Sequence, residues 1–210
     1  MSEAAGVGDL ELAALISSRI CHDVISPVGA IANGLEILDE EHDQAMREQA
    51  MALIRKSTHQ ASAKLQFARL AYGAAGSAGA EIDLRDAERV ARDFVQGGGK
   101  HTLSWSGGPA TLPKDKAKLL LNLIALAVTA LPRGGTIEVA VASPGFQILA
   151  RGDSARLPEQ TAKVLSGAGA SLLDSHSIQA YYATRVAIAA CMQIGTQATA
   201  QEVVLRAASV

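Results

Sequence analysis

Ser17-Ser18-Arg19-Ile20-Cys21-His22-Asp23-Val24-Ile25-Ser26-Pro27 is the stretch from which the rest of the chain is read. Laid on a helix at about 100° per residue, Ser18, Arg19, Ser26, Gly29 and Asn33 project within roughly 60° of His22, and that face is polar and uncrowded. Cys21, Val24, Val28, Ile31, Leu35 and Leu38 fall on the opposite side, at the alternating three and four spacing of a bundle seam. The imidazole is therefore expected to point away from the core. A histidine on a rigid helix attacks phosphorus when a neighbour orients or deprotonates its second ring nitrogen. Asp23 is that neighbour in sequence: adjacent helical side chains diverge by about 100°, so it cannot stack on the ring, yet it can accept a proton at the edge of the same pocket. Pro27 removes a backbone N–H and crowds the Asp23 carbonyl, which predicts a bend one turn past the histidine. The bland alternative is a core helix with an incidental surface histidine and a tolerated proline.

Working outward, Asp9 can cap this first helix, which runs to about Leu38. Met1 to Gly8 is small and polar and should fray. Asp39-Glu40-Glu41-His42-Asp43 makes a charged turn into a second helix, Gln44 to Tyr72, with Ala50, Ile54, Ser57, Ala61, Leu65, Ala68 and Tyr72 at spacings of three and four. Two such helices on a short turn form an antiparallel hairpin. One hairpin cannot cover an apolar stripe on both helices, whereas two can, so a homodimeric four-helix bundle is expected.

Gly73-Ala74-Ala75-Gly76-Ser77-Ala78-Gly79 reads as a flexible boundary, dividing the chain into a hairpin (residues 1–75) and a second domain (residues 81–210). Asp83 can cap a helix reaching about Val95, ended by Gly97-Gly98-Gly99. His101 to Ser106 alternates like a strand, and Pro113 opens an apolar helix to Leu131. After Pro132-Arg133-Gly134-Gly135 come strands Thr136 to Ala142 and Phe146 to Ala150, then a short helix from Pro158 and a glycine-containing loop, Gly167 to Ser171. Ile178 to Ile194 reads as a further helix and Gln201 to Arg206 as a last strand. The fold class is α+β: a helical hairpin followed by a two-layer α/β sandwich.

At 210 residues and 49% hydrophobic, the chain can bury a full core, and a net charge of −2 offers no basic field for nucleic acid. Ala117 to Leu131 is shorter than the roughly 20 residues a bilayer span needs, so no membrane association is expected. Cys21 and Cys191 show no CxxC spacing, which with no signal peptide points to a reducing cytoplasm. His42, His59, His101 and His176 share no metal-ligand spacing. Arg151, Arg156 and Arg185 can pair with acidic groups on a partner, though a solvated surface suits each alone.

The His22 stretch resembles the phospho-accepting H-box of sensor histidine kinases, and nearly the whole chain resembles the ChpT-type histidine phosphotransferases. The resemblance implies a dimer of hairpins that shows its histidines to receiver domains, followed by a degenerate kinase-like ATPase domain. It implies His22 and Asp23 as catalytic residues, Arg19, Ser18, Ser26, Gly29 and Asn33 as the surface met by the partner, a CckA-like hybrid kinase as donor, and CtrA-like and CpdR-like response regulators as acceptors.

The same resemblance implies a fold kept without its nucleotide. Asn122 matches the first asparagine of the family's magnesium motif, but Leu126 stands where the metal ligand belongs, and leucine cannot coordinate a hard cation. Gly152, Ser154 and Arg156 occupy the adenine-loop positions without its aspartate, Asp153 being one residue late. Ser177-Ile178-Gln179-Ala180-Tyr181-Tyr182 replaces the glycine-rich lid that cradles phosphates. No cofactor is expected here, with Mg2+ confined to the partner receiver. The reading is a phosphorelay transferase, set against two alternatives, an ATP-dependent sensor kinase and a non-catalytic dimeric adaptor.

Overall fold

The computed structural model describes residues 7–73, 80–167, 173–174 and 177–210. The amino terminus before Val7, most of the expected glycine-rich boundary, most of the loop after Gly167, and His176 lie outside the described residues.

Helix α1 spans Asp9–Glu40 and α2 spans Gln44–Ala71. The cap of α1 lies one residue earlier than the sequence placed it: Gly8 is the N-cap, with no side-chain cap hydrogen bond, and Asp9 is the first helical residue. As an acid in the first turn, with Glu11, it faces the positive end of the helix dipole. Asp43 caps α2 by accepting from the Met46 amide at 3.0 Å. Arg47 ties the corner by donating from Nη1 to the carbonyls of Leu38 and Glu41. The helices approach closely because small residues line the contact: Ala50, Ser57, Ala61 and Ala68 are buried on α2, and Gly34 on α1. A Cβ on Gly34 would stand 2.6 Å from Ile54 Cγ1, so only glycine allows that spacing.

Within the single chain, the contact between α1 and α2 uses only part of the stripe drawn from sequence. Of the six expected α1 positions, Val24, Ile31 and Leu38 are half-buried, while Cys21, Val28 and Leu35 are exposed, and Pro27 and Gly34 take the buried places. On α2, Leu65 is half exposed and the partly buried Lys64 stands in the stripe between Ala61 and Ala68. A pattern of three and four fits two adjacent stripes of one helix equally well, and only the position of the neighbouring helix chooses between them.

The remaining chain forms β1 (Glu81–Asp83), α3 (Leu84–Gln96), β2 (His101–Gly107), β3 (Thr111–Pro113), α4 (Lys114–Thr129), β4 (Gly135–Ala142), β5 (Gly145–Arg151), α5 (Glu159–Leu165), α6 (Ile178–Ala189), β6 (Met192–Ala198) and β7 (Glu202–Ser209). Five strands pair in the order β2-β4-β5-β7-β6; β2 and β4 are parallel and the others antiparallel. β1 and β3, too short to show a period in sequence, pair as a small separate ladder. The expected helix to Ile194 stops at Ala189, because Cys191 takes a positive φ and the chain reverses into β6, an edge strand the sequence reading missed. Asp83 caps α3 as expected, accepting from the Arg85 amide at 2.8 Å.

Alternation along the strands buries Ile137, Val139 and Val141 on β4, Phe146, Ile148 and Ala150 on β5, and Val203, Leu205 and Ala207 on β7. Against that face lies α4, buried on nearly every side because it touches the sheet, α3, α6 and the end of α2 at once. The chain enters β4 through Gly134 and Gly135, both at positive φ; a Cβ on Gly135 would lie 2.1 Å from the Arg151 carbonyl oxygen.

The hairpin is built into this core. Phe67 and Ala71 of α2 belong to the same buried cluster as α4 and the sheet. Phe67 stacks on Phe94 with centroids 3.9 Å apart, Tyr72 meets Tyr182 edge-on at 5.4 Å, and Gln60 donates to the Gly97 carbonyl at 2.8 Å. The α+β architecture, a hairpin followed by a helix-covered mixed sheet, is the one the sequence predicts.

Candidate functional site

Around His22, α1 divides into three faces. His22, Ser18, Ser26, Gly29 and Asn33 share an exposed polar face. Ile20, Val24, Pro27 and Gly34 turn toward α2. Between them on the other flank runs an open apolar stripe of Cys21, Ile25, Val28, Ala32 and Leu35, stepping by four and three.

The His22 side chain is 62% exposed, with Nδ1 3.6 Å from Asp23 Oδ1. That separation is ion-pair range, longer than a hydrogen bond, and a small rotation of either side chain would close it. Asp23 Oδ2 accepts from Arg19 Nε at 3.0 Å, one turn back on the helix. Arg19 therefore differs from the other expected contact residues: its side chain is only 15% exposed and turns inward to the carboxylate. The carboxylate is bridged between a guanidinium and an imidazole, which aims one oxygen at the ring.

Beneath this pair, Arg19, Ile20, Asp23, Val24, Lys64, Phe67, Ala68, Tyr72, Phe94 and Gln179 surround a crevice at the junction of hairpin and sheet domain. Lys64 Nζ donates to the Asp23 carbonyl at 2.6 Å. Burial pushes the Tyr72 phenol far above the ordinary tyrosine range; Arg19 opposes that rise and Asp23 adds to it. Gln179 is 2% exposed, and its Nε2 has no hydrogen-bond partner. The sequence placed Tyr72 on the α2 stripe and Gln179 in the altered lid, but it marked neither of them, nor Lys64, as a neighbour of the His22–Asp23 pair. One signal was available: Lys64 follows Ser57 and Ala61 and precedes Ala68 and Ala71 at steps of four and three, a charge on an otherwise small-residue stripe.

The positions compared with kinases lie elsewhere. Asn122 is fully buried and donates from Nδ2 to the carbonyls of Lys118 at 2.8 Å and Ala71 at 3.2 Å, which fastens α4 to the last turn of α2. Leu126 is 1% exposed in the core. Gly152, Ser154 and Arg156 form a tight loop in which the Arg156 amide donates to Ala130 and the Gly152 amide to Gln201. Gln179, Ala180 and Tyr181 are buried in α6. Among the described residues, no group of three or more His, Cys, Asp or Glu side chains could hold a metal ion, and no helix is long and apolar enough to cross a membrane.

Comparison with known proteins agrees with this architecture. Residues 84–202 match the family model for the histidine phosphotransferase C-terminal domain. The protein phosphotransferase ChpT of Brucella abortus (strain 2308) is 45% identical over 99% of this chain and 100% of its own length. A solved structure described as a bacterial phosphotransferase, 43% identical, superposes over 98% of this chain and 100% of its own with a TM-score of 0.88. The histidine kinase AdeS of Acinetobacter baumannii overlays more loosely, with a TM-score of 0.46 and 12% identity over 90% of this chain and 97% of that one. With its hairpin, its helix-covered sheet and full-length likeness to a protein phosphotransferase, the chain belongs to the histidine phosphotransferase family.

Proposed function

We propose that this phosphotransferase carries phosphoryl groups between receiver-domain aspartates through a phosphohistidine at His22, and that it does so without ATP. The observation that carries the reading is the exposed imidazole with Nδ1 facing a carboxylate that Arg19 holds in place. Nε2, the nitrogen away from Asp23, is the nucleophile. It attacks phosphorus of an aspartyl phosphate, the N–P bond forms as the acyl P–O bond breaks, and the receiver carboxylate leaves. The second receiver's aspartate reverses the step. Asp23 stabilises positive charge on the ring as the N–P bond forms. Such transfer depends mainly on alignment and charge neutralisation, which the receivers' own Mg2+ supplies; this chain adds a nucleophile and a docking face formed by Ser18, Ser26, Gly29 and Asn33. Arg19 acts through Asp23.

Independence from ATP is supported by the buried Leu126, by the Asn122 amide spent on backbone carbonyls, and by the burial of Gln179 to Tyr181 in α6. Dimerisation through a four-helix bundle is supported by the stripe from Cys21 to Leu35, with Ile25 70% and Val28 51% exposed in the single chain. The partners are receiver domains in the cytoplasm: a CckA-like hybrid kinase as donor and CtrA-like and CpdR-like regulators as acceptors. His22→Ala is expected to abolish passage of radiolabel between two receivers while leaving the oligomeric state unchanged. Transfer retained by that variant refutes the mechanism, and measurable heat on titrating Mg-ATP refutes the ATP-free part alone.

A further inference from the structure

Pro27 leaves a gap in α1 that α2 fills. In a continuous helix the amide of residue 27 would donate to the carbonyl of residue 23, but proline has no N–H. Lys64 Nζ reaches across the hairpin and donates to that carbonyl at 2.6 Å, from 41 residues away in sequence. The lysine sits on the packed stripe of α2, between the buried Ala61 and Ala68, where a long cation is out of place unless its head group has a partner. The same residue whose carbonyl it holds carries the carboxylate shared by Arg19 Nε and His22 Nδ1, at 3.0 and 3.6 Å. Asp23 is thus pinned at its backbone from α2 and at its side chain from α1.

We propose that Lys64 is a positioning residue for phosphotransfer: it stands in for the hydrogen bond that Pro27 removes, fixes the turn from Asp23 to Pro27, and so sets the aim of the Asp23 carboxylate on His22. The inference rests on the reading of His22 as the phosphoacceptor. Proline loosens the ladder next to the histidine, and a charged donor from the other helix stiffens it again. The aim of the carboxylate then depends on the hairpin being closed.

The test uses the full chain and a 32P-labelled receiver domain that phosphorylates it, with single-turnover transfer measured as receiver concentration is varied. Lys64→Met is expected to lower the limiting rate about tenfold, the scale on which small misplacement at a reacting centre is felt, with the half-saturating receiver concentration unchanged. Lys64→Arg should recover most of that rate. The discriminating variant is Pro27→Ala in the Lys64→Met background: it returns an amide N–H to the Asp23 carbonyl and should restore transfer to within about threefold of Pro27→Ala alone, on the same rate scale. In parallel, 15N ring shifts of His22 followed through a pH titration of the unphosphorylated protein should move in Lys64→Met and return in the double variant. Should Lys64→Met alone fail to fold, Lys64→Arg and the double variant still carry the comparison. Wild-type rates in Lys64→Met, no recovery in the double variant, or a change confined to the half-saturating concentration each overturn the assignment. His22→Ala separates the two readings. If it still transfers, the phosphoacceptor is wrong; if it does not while Lys64→Met transfers normally, only the role of Lys64 is lost.

Discussion

Replacing Asn122 by alanine separates a structural role from a nucleotide-binding one. Its Nδ2 bridges the Lys118 carbonyl within α4 and the Ala71 carbonyl at the end of α2. The last carbonyls of a helix have no intrahelical donor, so Asn122 satisfies one that the fold buries. Truncation removes a bond worth about 1 kcal/mol and leaves the Ala71 oxygen dry, at roughly 1–3 kcal/mol. Part of that is offset, because the asparagine's own Oδ1 has no partner in the structure and its desolvation disappears with the side chain. The net expectation is a loss of roughly 1–3 kcal/mol in urea unfolding, a drop of several degrees in Tm for a chain of this size. Transfer from a phosphorylated receiver at a temperature where the variant stays folded should fall by no more than about threefold, since the Asn122 amide bonds to the Lys118 and Ala71 carbonyls and not to His22, Asp23 or Arg19. A loss of stability below about 0.5 kcal/mol would refute this reasoning, since surface-like substitutions fall in that range. So would a change in nucleotide affinity with stability intact.

Other outcomes follow from the same contacts. Asp23→Asn keeps the shape but removes the charge facing His22 Nδ1, and phosphohistidine formation is expected to slow by about 10²-fold in a rapid-quench assay. Gly34→Leu drives a side chain into Ile54 and should destabilise the hairpin by roughly 1–3 kcal/mol, seen in thermal unfolding. Val28→Glu with Leu35→Glu places charges on the open α1 stripe and should convert the proposed dimer to monomers in analytical ultracentrifugation. Tyr72 gives a pH dependence: its phenol is raised above its unfolded value chiefly by burial, so the folded state holds the proton longer than the unfolded one. Its contribution is full below the unfolded tyrosine value near 10 and is lost as pH climbs above it, so Tyr72→Phe should flatten the alkaline fall in urea-unfolding free energy.

Much of the fold was legible because its signals are local. The three-and-four spacing, the Asp43 and Asp83 caps, and the paired glycines after Arg133 each act within a few residues, and the helices and strands stand close to where those signals put them. The edge strand β6 was not legible: Met192 and Ile194 alternate over only three residues and read as the end of the preceding helix, and the segment is a strand because β7 is beside it. Leu65 and Lys64 exchanged places for a related reason. A shift of one residue on a helix moves the stripe by about 100°, and the sequence of one helix does not record where the other lies.

By itself the sequence determined that His22 lies on a polar helix face beside an acid and one turn before a proline, because helical periodicity assigns faces without any tertiary information. It also determined that Leu126 offers no ligand to a cation, since that follows from the chemistry of one side chain. The tertiary structure decided what those residues touch. Arg19 turns inward to Asp23, Lys64 supplies the hydrogen bond that Pro27 withholds, and Asn122 fastens the hairpin to the sheet domain. The last two join residues more than forty positions apart, and pairing at that range is set by how the helices pack, which local periodicity does not encode.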